Sequence, residues 1–277
     1  MIVFIADFYV DEILGGGELN NQELIGLLRA KGHIVKTIKS EKATPSYINK
    51  IPAKLFIVAN FIKLSIESKE ALKSKNYVIY EHDHKYLKTR NPADYNNFTA
   101  PATELINVDF YQKAYKVFCQ SSFHKSIVYR NLQIDNIESV GGNLWSEDTL
   151  NMLEGLAHQR KKSKCSILNS SIPHKNTRDA VAYCNIQNIE YDLCASNDYE
   201  TFLKQLSKNE ALVFFPQTPE TLSRVVVESR MMGMKVITNR LVGATQESWF
   251  NLKGKDLIDL MRRKREEIPN KVLGCLS

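Results

Sequence analysis

Short runs of three to six mostly apolar residues, each closed by a polar or glycine-bearing turn and followed by a stretch at helical spacing, recur along this 277-residue chain. That alternation constrains the fold more than any other feature. Parallel strands cannot be joined by tight hairpins, so strand–helix–strand succession implies crossover units and a mainly parallel sheet. Residues 2–6 read as a first buried strand, and Gly15-Gly16-Gly17 follows as a turn. A helix over 18–30 comes next, with Leu19, Leu24, Leu27 and Leu28 at helical spacing and Gly32 as its stop. Strands over 33–38, 55–60, 77–81, 116–119 and 137–140 complete an expected six-strand first domain. After a helical segment at 147–158 and a basic run, the alternation restarts. Strands fall at 166–168, 191–195, 211–215 and 235–238, with helices at 176–184, 199–207 and 222–232.

Two such assemblies predict an α/β protein of two Rossmann-like domains facing across a cleft, with ligand at the carboxyl ends of the strands. The expected divisions are a first domain at 1–148, a linker at 149–164, a second domain at 165–250, and a tail at 251–277. A helix over 255–267 in that tail is expected to pack back on the first domain.

Composition narrows the class. Hydrophobic residues at 43% and charged residues at 25% suit a globular core, and no segment reaches the length of apolar sequence a membrane helix needs. The N-terminal stretch carries Asp7, Asp11 and Glu12 and no basic region, unlike a signal peptide. Five cysteines lack any metal-binding spacing and read as free thiols in a reducing compartment, so a cytoplasmic location is expected. The net charge of +6 allows a phosphate-binding cleft or a nucleic-acid partner. Outside two short runs, 161–164 and 261–267, the basic residues are scattered, and both runs read as solvated segments.

The chemistry concentrates in Phe214-Phe215-Pro216-Gln217-Thr218-Pro219-Glu220-Thr221-Leu222-Ser223-Arg224-Val225-Val226-Val227-Glu228. A buried strand ends in a polar turn that opens into a helix, with Thr218 as the expected N-cap and Pro219 at the first helical position. Such a helix start, with free N–H groups and a partial positive charge, is a ready site for a diphosphate. Glu220 is expected in the first turn, and Glu228 about two turns on, roughly 80° round the helix. A carboxylate that accepts two hydroxyl hydrogen bonds suits a vicinal diol of a ribose or sugar. The same residues also fit an acidic helix start and an unrelated exposed glutamate.

This turn with its E-x7-E spacing, followed by Gly233 and a Lys-Val-Ile-Thr strand, resembles the C-terminal signature of group-1 retaining glycosyltransferases of the GT-B fold, family 4-like and in a short form. The resemblance implies that Glu220 contacts the donor sugar, that Glu228 holds the ribose, and that backbone N–H groups near Leu222 and Ser223 face the distal phosphate. Gly15-Gly16-Gly17-Glu18 is similar to the family's N-terminal Gly-Gly loop, so Gly16 and Gly17 are expected near the donor phosphate. It lacks the later glycine of the dinucleotide fingerprint, which weakens a nicotinamide-dependent oxidoreductase. Tyr80-Glu81-His82-Asp83-His84 ends a strand and resembles the family's strand-terminal His-Asp, with His82 facing the sugar and His84 the alternative. Alternate histidines also suggest a metal site, but no further ligand set accompanies them, and the family implies none.

In Ser166 to Asn176, Lys175 matches the family's phosphate-gripping lysine. Asn169 stands where an arginine is usual, which leaves Arg178 or Arg224 as substitutes. Ser121-Ser122 and Gly141-Gly142-Asn143 fall where the family has polar cleft loops. The implied activity is transfer of a sugar from a nucleoside diphosphate sugar, with no other cofactor, to a carbohydrate or other acceptor. A nucleic-acid acceptor and a non-catalytic nucleotide-binding fold are the competing readings.

Overall fold

The computed structural model describes residues 1–276. By internal contacts they form two units, residues 1–145 with 264 onward, and residues 146–263.

The first unit runs β1 (Ile2–Ala6), α1 (Gly16–Ala30), β2 (Val35–Lys39), α2 (Pro45–Lys50), β3 (Leu55–Val58), α3 (Ile66–Lys73), β4 (Tyr77–Tyr80), α4 (Val108–Lys113), β5 (Lys116–Cys119), α5 (Ser122–Leu132) and β6 (Ile137–Ser139). The six strands are parallel, in the order β2-β1-β3-β4-β5-β6. Successive side chains of a strand point to opposite faces, and the two cores divide accordingly. Val3, Ile5, Phe56, Val58, Tyr77, Ile79 and Val117 pack on one face. Ile2, Phe4, Leu55, Ile57, Val78, Tyr80 and Phe118 pack on the other, under Leu24, Ile25 and Leu28 of α1. Burial on both faces explains why these strands read as unbroken apolar runs.

The second unit runs α6 (Glu147–Ala157), β7 (Lys162–Leu168), α7 (Thr177–Ile186), β8 (Tyr191–Cys194), α8 (Tyr199–Leu206), β9 (Asn209–Phe214), α9 (Arg224–Met231) and β10 (Lys235–Thr238). Its four strands are parallel, ordered β10-β9-β7-β8. The closing helix α10 (Lys255–Leu273) begins in this unit and ends in the first, where Ile268, Val272 and Cys275 enter the core beside α1.

Four expectations need correction. The stretch expected as a linker, 149–164, belongs to the second unit: the helix expected at 147–158 is α6, and the rest is the start of β7. The basic run 161–164 is not a free solvated segment: Lys161 donates to the carbonyls of Leu156 and Ser207, and Lys164 pairs with Glu190 at 2.9 Å. β7 tolerates those lysines because they sit at its start, beside a register shift between Lys162 and Cys165. The helix expected from 222 starts at Arg224, so Thr218 is not its cap and Glu220 is not in its first turn. Finally, the basic run 261–267 lies within α10, and its charges are largely paired. Arg262 contacts Glu147, Glu154 and Asp259, Lys264 reaches Glu267, and Arg265 pairs with Glu23.

Candidate functional site

In an open parallel sheet, ligands bind at the carboxyl edge where the strand order reverses. In the first unit that point lies between β1 and β3, and in the second between β7 and β9. Most of the sequence-predicted site residues stand on loops that leave these edges or the adjacent strand.

In the first unit Gly15 caps α1, which starts at Gly16, two residues earlier than expected. A Cβ placed on Gly17 would stand 3.6 Å from Cγ of His82, so this helix start lies against the imidazole. His82 Nε2 lies 2.5 Å from Oδ1 of Asn21, and Nδ1 faces the side-chain amide of Gln120. With Nε2 donating and Nδ1 accepting, both contacts fit a neutral ring. Burial, helped by the nearby Lys85 ammonium, depresses its pKa to about 3. His82 is therefore a hydrogen-bonding group at neutral pH, with no proton to give as an imidazolium.

The loop that carries His82 is held by a buried ionic network. Lys85 Nζ donates to Glu81 Oε1 and to Asp83 Oδ1, each at 2.7 Å, and Tyr111 donates its hydroxyl proton to Glu81. Glu81 is fully buried, which pushes its pKa up to about 7 against the pull of Lys85. Burial disfavours the Lys85 ammonium, but Asp83 and Glu81 together more than offset this and hold it at about 12. Asp83 is itself kept well below the carboxylate range, because Lys85 outweighs its burial. Behind the loop His124 donates to the Asp83 carbonyl at 3.0 Å. His84, the alternative to His82, turns away to Tyr86 at 3.0 Å, and burial lowers its pKa to about 4. Among the described residues no group of three or more His, Cys, Asp or Glu side chains is placed to hold a metal ion.

In the second unit the structure joins Lys175 to Glu220: Nζ lies 2.7 Å from Oε1, with the two side chains 26% and 14% exposed. The turn that carries Glu220 is fixed by pairing rather than by helix. Its N–H donates to the Leu241 carbonyl, its own carbonyl accepts from Gly243, and Leu222 accepts from Ala244. The loop before α7 is tied to the same turn, as Gln217 donates to the His174 carbonyl and Asn176 to that of Phe215.

The second unit's remaining predicted residues divide. Leu222 is a core side chain. Ser223, the residue before α9, has φ 75°, a left-handed backbone that is costly without glycine. Its side chain gives α9 no cap, and its hydroxyl is buried without a hydrogen-bond partner. Helix geometry leaves the amides of Val225 and Val226, in the first turn of α9, without an intrahelical acceptor, so the helix-start N–H set lies after Ser223 rather than at 222–223. Glu228 is 2% exposed and lies 3.3 Å from Nε of Arg224, and it accepts from the Tyr199 hydroxyl. Asn169 is exposed at the end of β7, with only its backbone N–H held, by the Cys194 carbonyl. Of the two candidate substitutes for the missing arginine, Arg178 lies on the exposed face of α7 beside Asp179. Arg224 is the one built into the cluster.

Sequence reading missed Asn21, Gln120 and Tyr199. Asn21 carried a signal, since it shares a helical face with Leu24 and Leu28 and a buried amide on an apolar stripe needs a partner. Gln120 and Tyr199 carried none, being single polar residues at a strand end and a helix start.

No sequence-family model matches this chain, and no curated protein does. Solved structures do match. HepE from Anabaena, in complex with UDP-glucose, is similar over 99% of this chain and 91% of its own, at 15% identity and a TM-score of 0.56. WaaG, a glycosyltransferase involved in lipopolysaccharide biosynthesis, matches over 97% and 91%, at 10% identity and a TM-score of 0.52. An alpha-glucosyltransferase in complex with UDP and a 13-mer DNA containing a HMU base matches over 97% and 90%, at 9% identity and 0.52. The chain has the α/β GT-B fold of glycosyltransferases.

Proposed function

We propose that this protein transfers a sugar from a nucleoside diphosphate sugar to an acceptor, with retention and without a bound divalent ion. The observation that carries the reading is the Lys175–Glu220 pair beside an uncapped α9 with an unpartnered, buried Ser223 hydroxyl. A cation, orphan helix N–H groups and a hydroxyl at a strand-order reversal suit a diphosphate. Lys175 and the amides of Val225 and Val226 meet the charge that grows on the leaving diphosphate. Glu220, freed from Lys175 by the incoming phosphate, accepts hydroxyls of the sugar. Glu228, oriented by Tyr199 and Arg224, takes the ribose diol.

The C1–oxygen bond to the diphosphate breaks with its electron pair on the phosphate. The acceptor oxygen bonds C1 from the same face, and its proton passes to the departing phosphate oxygen. Neutral His82, its ring nitrogens engaged by Asn21 and Gln120, positions the sugar by packing against it and takes no proton. Retention, the front-face route and the family-4 assignment rest on the motif resemblance. UDP-sugars come first among donors to test, because solved neighbours carry UDP or UDP-glucose.

Five free, buried cysteines support placement in a reducing compartment. The internal pairing of both basic runs speaks against a long cationic stripe for nucleic acid.

Melting curves with UDP, GDP, ADP and their sugar conjugates test the donor. Ligand at a hundred times its dissociation constant adds about 2.7 kcal/mol. A rise selective for one nucleotide, lost in Lys175→Ala and Glu228→Gln, is expected. No shift with any nucleotide would sink the reading.

A further inference from the structure

A cavity lies wholly in the first unit, between α3, α4 and the loop that follows β4, with a volume of about 620 Å³. That is the size of a small-molecule pocket. Its floor includes Phe61 and Phe110, both buried, and its rim leaves Ile62, Ile66 and Ile106 57%, 73% and 36% exposed. Around this apolar surface stand five cationic side chains, Lys69, Lys73, Lys85, Lys88 and Arg90, against two acids, Glu70 and Asp109.

Four of the cations are paired. Lys73 holds Glu70 and Asp109, Lys85 holds Glu81 and Asp83, Lys88 approaches Glu104 at 3.6 Å, and Arg90 approaches Asp83 at 3.4 Å. Lys69 differs. Its Nζ donates to the amide oxygen of Asn107 at 3.0 Å and lies 5.6 Å from the Phe61 ring, with no carboxylate of the described residues in ion-pair contact. Half-burial lowers its pKa, and only Asp7 acts on it in the other direction. Asp7 is already occupied by the backbone N–H groups of Ile62 and Lys63. A half-buried ammonium among isoleucine and phenylalanine side chains, without a counter-ion, is an incomplete pair.

We propose that this cavity binds a small amphiphilic anion, a phosphate monoester on an aliphatic tail, with the phosphate on Lys69 and the tail against Phe61, Ile66 and Ile106. Charge and shape agree on that class: a plain sugar would leave the isoleucine rim wet and Lys69 without a counter-ion. The site is independent of the nucleotide-sugar reading, because it needs no donor. It still borders the candidate transferase machinery, since Lys85 and Arg90 line it and both reach Asp83, the residue after His82.

Calorimetric titration of the full chain with octyl phosphate, below its micelle concentration and with no nucleotide present, tests this. One saturable site is expected, with at least tenfold weaker binding of an uncharged octyl ether of oligo(ethylene glycol) and of inorganic phosphate. Lys69→Gln removes the cation, and Ile66→Glu sets a carboxylate on an exposed rim position that folding does not depend on. Each is expected to weaken octyl phosphate at least tenfold. Equal binding of the uncharged ether, or full affinity in Lys69→Gln, would overturn the proposal. So would the absence of a saturable octyl phosphate site in a protein that sediments with phosphatidylglycerol vesicles, which would assign the patch to a bilayer surface instead.

Discussion

The chain contains two lysine–carboxylate clusters at strand ends, and they are built on opposite terms. Around Lys85 in the first unit, Glu81 and the lysine are 0% and 2% exposed, Lys85 bridges Glu81 and Asp83, and Tyr111 of α4 donates to Glu81. Around Lys175 in the second unit, the pair is 26% and 14% exposed and rests on a turn held by its backbone. A buried pair costs desolvation on both partners, and losing one strands the other, whereas a half-open pair can exchange its partner for a ligand. The first cluster therefore shapes the loop under His82, and the second is available for chemistry.

The sharpest way to break that comparison is to remove each lysine. Lys85→Met should destabilise the fold by about 3–5 kcal/mol, because two carboxylates lose their shared counter-ion. Adding Glu81→Gln should recover part of it. Lys175→Met should cost less than about 1 kcal/mol in the same denaturant series. Equal losses would show that the two clusters do not differ in kind.

Activity should rank the other way. Glu220→Gln is expected to lower the transfer rate on the order of 100-fold, through lost orientation of the sugar, while the melting temperature stays within error. A variant that melts early, with its residual rate explained by the folded fraction, would make Glu220 structural.

Acid sharpens the contrast from the first unit alone. His82 and His84 titrate near 3 and 4 when folded, and His124 well below its ordinary value, so all three are neutral in the fold. Lowered histidine pKa values supply stability that is present above about pH 6.5 and lost as pH falls. Glu81, raised to about 7, works in the opposite sense between about 4.5 and 7, since the folded state keeps its proton. Three protons against one leaves about two, so stability should fall by roughly 2–3 kcal/mol per pH unit near pH 5. Melting temperatures that stay level from pH 7 to 5 would mean these rings are not held neutral.

The smallest effect concerns Tyr199. Tyr199→Phe should lower stability by about 1 kcal/mol, the worth of its hydrogen bond to the buried Glu228, and weaken donor binding by no more than about that amount. A loss tenfold larger would place Tyr199 directly on the nucleotide.

Sequence alone made the strands and the two parallel sheets readable, because strands buried on both faces appear as apolar runs, as at residues 2–6 and 55–58. It also singled out Lys175 and Glu220, two residues that the structure pairs. The start of α9 was not readable. Thr218-Pro219 is a sound local helix signal, but the turn is taken instead by pairing with residues 241–244, a contact between distant segments that no local propensity encodes. Nor was the network at Lys85 readable as such. Its i,i+4 spacing from Glu81 suggests a helix surface, yet burial by Tyr111 and the β4 loop makes it an interior ion pair.

The route of α10 has a consequence for how the protein is made. Ile268, Val272 and Cys275 close the core of the first unit, and the ribosome reaches them only after residues 146–263. At about 5–20 residues per second, translating those intervening residues takes roughly 6–24 s. A six-stranded sheet that forms in that interval has one apolar face incomplete, which would make the nascent chain a natural client for a chaperone. Slowing elongation over 146–263 should raise aggregation, whereas a segment carrying α10 supplied in trans should lower it.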